Sequence, residues 1–138
     1  VFHARPDIFS HNVECVKRIS HQVRPQSDWD RSISLLKASV EWGLKTKAGM
    51  MVGLGEDDEE VLKTMQEIAS FGISIFNIGQ YLQPTKNHLS VQRFVHPDIF
   101  DMYKEKGLEM GFRVVESGPL VRSSYHADEQ ASRLTDLN

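Results

Sequence analysis

Apolar residues recur at helical spacing in Trp29, Ile33, Leu36 and Val40, which places them on one face of an α-helix. Asp28 stands where an N-cap belongs and Gly43 lies just past the end, so this helix carries both of its boundary signals. A second stripe, Val61, Leu62, Met65, Ile68 and Ala69, follows the acids Asp57 to Glu60 and stops before Gly72. Negative charge in a first turn is favoured by the helix dipole, and alone these acids read as a cap and a solvated face. A third helix should start near Pro97, at its first turn, and end by Gly111. Weaker helical signals cover residues 12–21 and 124–134.

Between these segments, residues 47–52, 73–78 and 112–116 are rich in β-branched, aromatic or other apolar residues and are bounded by glycine-containing turns, the signature of strands. Strand 47–52, helix 57–70 and strand 73–78 together have the size of a βαβ crossover with parallel strands. The predicted class is α/β, with elements alternating along the chain.

Composition adds limits. The chain has 138 residues, 40% of them apolar and 25% charged, with a net charge of −3, ordinary for a globular domain or a piece of one. That charge gives no electrostatic grip on nucleic acid or an anionic membrane. No apolar run approaches the roughly 20 residues needed to span a bilayer. Cys15 is the single cysteine, which excludes an internal disulfide and any cluster or zinc site built from several thiolates of this chain. Its plain reading is a buried thiol. The start, Val1 to Pro6, has the look of a chain entered midway.

The polar and glycine-rich residues gather just after the strands, as Gly53-Leu54-Gly55-Glu56, as Gly79-Gln80-Tyr81-Leu82-Gln83-Pro84, and as Ser117-Gly118-Pro119. Ligands of parallel α/β folds bind at these C-terminal strand ends. Glycines on and after a strand let a flat ligand or another backbone come close. No Gly-Lys-Ser/Thr follows, and the next residues are acids, so a neutral or zwitterionic ligand suits the loop better than a phosphate. A tight turn with Glu56 as a cap accounts for the same residues. Ser123, His126 and Asp128 do not make a hydrolase trio, because the His and Asp lie too close to face one group on a helix and no GxSxG elbow precedes them. Ser123 reads as a helix N-cap on its chemistry alone. Lys47, at a strand entrance, reads equally as a surface charge. His88 and His96 are isolated and make no convincing metal site.

Several strings together resemble one family. Gly49-Met50-Met51-Val52-Gly53-Leu54-Gly55-Glu56 resembles the GxIxGxxE segment of radical S-adenosylmethionine (SAM) enzymes. His11-Asn12-Val13-Glu14, Gly79 to Thr85, and Ser117 to Ala127 resemble lipoyl synthases specifically. Cys15-Val16 and Lys47-Ala48-Gly49 stand where Thr-Val and Lys-Ser-Gly are usual, which are mild departures. The resemblance runs over nearly the whole chain.

It implies the C-terminal part of a partial (β/α) barrel of the radical SAM type, with parallel strands, helices outside and the site in the C-terminal mouth. One such domain part would cover 1–138, with an Arg-Ser-Ser-Tyr extension at about 117–138. It also implies two [4Fe–4S] clusters and S-adenosylmethionine in the full-length enzyme. A deoxyadenosyl radical then takes hydrogens from carbons six and eight of an octanoyl chain on a lipoyl carrier domain, and the auxiliary cluster is consumed as sulfur donor. Gly49, Met51, Gly53 and Glu56 would shape the SAM pocket with Gln80 and Leu82, and Asn12 and Glu14 would meet its ribose or amino group. Ser123 would ligate the auxiliary cluster through oxygen, with Arg122 and Tyr125 in support. No residue is assigned a catalytic role.

The family's two cysteine triplets do not occur in this sequence, so the chain as given is expected to hold neither cluster and to be inactive by itself. It is also expected to be marginal in solution, or to pair with itself or a missing segment, because an uncovered sheet edge and barrel interior invite partners. The implied partners are the octanoylated carrier and an electron donor such as a ferredoxin or flavodoxin. The implied setting is cytoplasmic, or the matrix or plastid of a eukaryote. A non-catalytic partner-binding half and a different radical SAM enzyme are the alternatives.

Overall fold

The computed structural model describes residues 8–23 and 28–121, with Val23 described in its backbone only. The second predicted segment with a weak helical signal in the tail, 124–134, therefore lies outside the described residues.

Four strands, β1 (Phe9–Glu14), β2 (Thr46–Val52), β3 (Ile75–Gln80) and β4 (Val114–Gly118), form one sheet in the order β1-β2-β3-β4. Every pairing is parallel. A short 3-10 turn (Lys17–Ile19), α1 (Ser20–Val23) and α2 (Trp29–Glu41) connect β1 to β2; α3 (Asp58–Ala69) connects β2 to β3; α4 (Pro97–Met110) connects β3 to β4. Parallel crossovers are almost always right-handed. In a sequential strand order they then put every helix on the same face, which is the winding of a (β/α) barrel segment rather than of a doubly wound sheet.

The helix boundaries follow the sequence signals. Asp28 caps α2 by accepting from Arg31 N–H at 3.0 Å, and Asp57 caps α3 by accepting from Glu60 N–H at 2.7 Å. Pro97 opens α4, and Gly111 ends it in a left-handed conformation, φ 115°, which costs glycine little. The cap of α4 is a residue not foreseen for it: His96 Nδ1 accepts from Asp98 N–H at 3.1 Å.

One helical expectation and two strand expectations need adjustment. Residues 12–21 are not one helix. Their first part belongs to β1, whose alternation Phe9-x-His11-x-Val13 is a period of two, and helical turns begin only at Lys17. β3 and β4 each start and end two residues later than 73–78 and 112–116. β2 runs to Val52, and its ladder carries β3 through Gly79 and Gln80 to pair with Met51 and Val52. Pairing with a neighbour, rather than intrinsic strand preference, sets these ends.

Alternation divides the sheet into two unlike faces. The helix side holds the main core: Val13, Ala48, Met50, Val52, Phe76, Ile78 and Val115 pack with Ile33 and Leu36 of α2, Val61, Met65 and Ile68 of α3, and Phe100 and Tyr103 of α4. Helix α4 comes so close that a Cβ on Gly107 would sit 3.0 Å from both Met65 Cε and Val115 Cγ2. The inner face begins apolar, with Ile8, Ile75 and Val114 in a small cluster of their own. It then turns polar along the register row Asn12–Gly49–Asn77–Glu116.

Cys15 is fully buried in the helix-side core. Burial, with the carboxylates of Glu14, Glu56 and Glu60, pushes its thiol up to about 12. An unfolded chain releases that proton first, so the stability tied to Cys15 is complete below the ordinary thiol range and is lost as pH rises through that range towards the folded value. Iodoacetamide at about pH 8 is expected to leave the folded protein unmodified while it alkylates the urea-unfolded chain. Cys15→Ala is expected to remove part of the alkaline destabilisation. Rapid labelling of the folded protein would show that the thiol is open to solvent.

Candidate functional site

At the C-terminal end of the inner face, Asn12, Glu14, Gly49, Met50, Met51, Asn77, Gly79 and Val121 line a cavity of about 160 Å³. Three strand ends and the chain after β4 supply these residues. Glycine makes the room. A Cβ on Gly49 would lie 2.9 Å from Asn12 Oδ1 and 3.2 Å from the Asn77 carbonyl oxygen, closer than ordinary contact, so the Asn12 amide occupies the space a side chain would take.

Asn12 Oδ1 is buried and has no hydrogen-bond partner. A buried acceptor left unpaired costs about 1–3 kcal/mol, and a ligand donor in the cavity would recover that. Next to it β1 bulges: pairing shifts between Asn12 and Glu14, and Glu14 takes a left-handed φ of 69°. A non-glycine residue seldom adopts that conformation, and bulges re-aim the side chains they carry. Here the result is a carboxylate at the cavity wall. Below the polar row, Lys47 is buried, which corrects its reading as a surface charge. Burial lowers its amine from the usual value while Glu116 opposes that shift.

Gly53, Glu56 and Gln80 do not join this wall. They form a hydrogen-bonded knot behind it, at the junction of β2, α3 and residues 91–95. The Glu56 side chain is fully buried and accepts from Gly53 N–H at 3.0 Å and Leu54 N–H at 3.1 Å. Gln80 donates to the carbonyl oxygens of Tyr81, at 3.0 Å, and Arg93, at 2.9 Å, and accepts from Val95 N–H at 2.8 Å. Both its amide nitrogen and its amide oxygen are engaged in holding the loop. Leu82 is 49% exposed, beyond the end of β3. Arg122, Ser123 and Tyr125 lie outside the described residues.

Arg93, which no sequence motif singled out, ties the knot together. Its guanidinium lies 2.9 Å from Asp58 Oδ1 and 3.7 Å from Glu56 Oε2. Tyr103 O–H donates to the same Asp58 oxygen at 2.7 Å. Burial alone would raise the Asp58 carboxyl, but the bonds from Tyr103 and Arg93 hold it below its usual value. Burial and the Asp58 carboxylate push the Tyr103 phenol well up. Partners separated by 35 to 45 residues leave no local pattern to read.

A larger groove of about 810 Å³ lies on the outer surface among Arg18, Trp29, Glu60 and Lys63. Its lining comes from the turns after β1, the N-terminal end of α2, and α3. Among the described residues no group of three or more His, Cys, Asp or Glu side chains could hold a metal ion, and no helix is long and apolar enough to cross a membrane.

No family model matches the chain. Among curated proteins it is 54% identical over 128 residues to a lipoyl synthase of Stutzerimonas stutzeri (strain A1501), covering 91% of this chain and 39% of that protein. It is 54% identical over 132 residues to a lipoyl synthase of Rubrobacter xylanophilus, covering 94% of this chain and 41% of that protein. The chain thus spans about two fifths of the length of these relatives. The resemblance carried by the motifs extends through nearly the whole sequence. Among solved structures it superimposes on Streptococcus suis SuiB bound to S-adenosylmethionine with a TM-score of 0.67 at 12% identity, covering 88% of this chain and 29% of that one. A second SuiB structure gives 0.65 at 9% identity, with the same coverage. At such identity the likeness concerns the fold.

Two glycines of one loop separate the knot's demands from backbone strain. Gly53 has φ 101°, and its Cβ would collide with the Gln80 amide and lie 2.5 Å from the Arg93 carbonyl oxygen, whereas Gly55, φ 115°, would meet nothing closer than 3.8 Å. Gly55→Ala is expected to cost about 1–2 kcal/mol from the left-handed conformation alone. Gly53→Ala should cost at least about 2 kcal/mol more, because it also breaks the Gln80 and Arg93 bonds. Equal losses in urea unfolding would show that the knot adds nothing.

Proposed function

We infer that this chain, a relative of lipoyl synthases over more than nine-tenths of its length, is part of an enzyme that inserts two sulfur atoms at carbons six and eight of a protein-bound octanoyl chain. The observation that carries the reading is one cavity at the strand ends that draws Asn12 and Glu14 from one motif and Gly49 and Met51 from another. Two strings far apart in sequence therefore meet around the same space.

The residues present fit S-adenosylmethionine. The unpaired Asn12 oxygen awaits a donor, Glu14 offers a carboxylate to an amino or hydroxyl group, and Gly49 and Gly79 open a flat floor for a planar ring. When bound, S-adenosylmethionine and the clusters supply the radical chemistry and the sulfur. This chain's part is to bind and orient. Asn12 and Glu14 would fix the polar end of the nucleoside, and the Glu56–Arg93 knot would keep the end of β2 rigid beneath it.

The described residues do not fit an iron–sulfur cluster, since the single cysteine is buried in the helix-side core. Cluster binding would fall to segments beyond this stretch together with Ser123. A hard oxygen ligand there would leave one iron easily released as the cluster gives up sulfur. The octanoylated carrier and a low-potential electron donor are the partners this reading requires, in a reducing compartment.

Anaerobic reconstitution of the full-length polypeptide that carries this chain tests the reading. The wild type is expected to take up two clusters, and Ser123→Ala to lose or destabilise one. Asn12→Ala is expected to keep both and to bind S-adenosylmethionine about ten-fold more weakly. A full-length protein that takes up no iron would rule the assignment out.

A further inference from the structure

Phe94 is 73% exposed. A single exposed aromatic is common on protein surfaces, but this one is held there. On one side, the Arg93 backbone donates to the Gly53 carbonyl oxygen at 3.3 Å and accepts from the Gln80 amide at 2.9 Å, and its guanidinium pairs with Asp58 at 2.9 Å. On the other, Val95 donates to Gln80 Oε1 at 2.8 Å and buries its own side chain. With both neighbours fixed, the Phe94 ring has no route into the core. Its exposure is written into the backbone, so little conformational freedom remains to be lost on binding.

The surroundings give this ring a direction and a charge. Gln92 and Arg93 both donate to Gly53, just past the end of β2, so Phe94 lies at the C-terminal end of the sheet, the end that holds the cavity. Among the described residues, Leu82, after β3, and Leu120, after β4, are the other large apolar side chains left exposed at this end. The connection from residue 81 to 96 has no regular secondary structure, and loops of that length are usually functional. From Leu82 to His96 it holds not one Asp or Glu, in a chain where acids outnumber bases, 19 to 16; Arg93 is engaged by Asp58 and Glu56, so the exposed Lys86 gives the loop its positive charge.

We propose that Phe94, with Lys86 and the acid-free loop around it, is the docking surface for an acidic protein domain that presents an acylated lysine to the cavity. This rests on the proposed function, and it names the surface that would receive the carrier. Phe94 enters an apolar recess of the partner as a rigid anchor, and Lys86 meets its negative surface and speeds encounter. Neither residue lines the cavity, so neither contributes to the chemistry.

The test compares two substrates on the full-length, cluster-loaded enzyme: the octanoylated carrier domain, and a short peptide bearing octanoyl-lysine. Phe94→Ser is expected to raise KM for the carrier about ten-fold and to leave kcat and the peptide's KM unchanged. Phe94→Tyr should restore the carrier KM. Lys86→Glu should also raise the carrier KM, by a factor that shrinks as salt is added. Equal effects on both substrates would place Phe94 in the site or the fold and overturn the proposal, as would no effect on either. A change of oligomeric state in Phe94→Ser with KM unaltered would overturn it in favour of a second copy of this chain. A wild type that makes lipoyl product from neither substrate would instead remove the functional reading, and this surface with it.

Discussion

The in-register parallel pairing of β2 with β3 is the constraint on which the other features hang. It sets Gly49 against Asn77 and Met51 against Gly79. The same alignment reaches Asn12 on one side and Glu116 on the other. Since side chains alternate between faces, a slip of one residue would send Lys47, Gly49 and Met51 into the helix-side core and turn Ala48 and Val52 to the inner face. That register is enforced from the apolar side. Phe76 and Ile78 must meet the stripes of α3 and α4, so packing on one face fixes the chemistry offered on the other.

A second dependence runs through the buried Glu56 carboxylate. Gly53 turns the chain out of β2 with a positive φ, leaving two backbone N–H groups that Glu56 satisfies. Arg93 balances that charge, and Asp58 and Tyr103 complete the arrangement. Each group answers a demand made by another, and a buried polar network of this kind holds only when all its members are satisfied. The connection after β3 is thereby as firmly placed as the strands, although it has no regular structure.

Much of this was legible beforehand, and for identifiable reasons. Helices α2 and α3 each carried a stripe, a cap and a stop, and α4 an opening proline and a closing glycine, all of them local signals. The grouping of polar residues after the strands pointed to the end of the sheet where the cavity lies, and the two motifs supplied Asn12, Glu14, Gly49 and Met51, which the structure brings to that cavity. The same motifs also pointed to Gly53, Glu56 and Gln80, but a motif records which residues recur, not which way they face. Strand β1 escaped notice because its alternation is half polar and short. Arg93 and the burial of Lys47 could not be read at all, since both depend on partners brought together only by the assembled sheet and its helices.

Lys47 carries a consequence for how the chain folds. The helix side of the sheet is continuous hydrocarbon and can condense as soon as strands and helices meet. The inner face has an amine and a polar row between its small apolar cluster and its glycines, and stripping water from those groups is unfavourable until partners are in place. The two faces of one sheet would therefore dry in sequence, the outer first and the inner last. A molecule arrested between those steps would already have its helices, its register and its loop anchors. It would still hold a hydrated seam along the inside of the strands, open to whichever polar group arrives to close it.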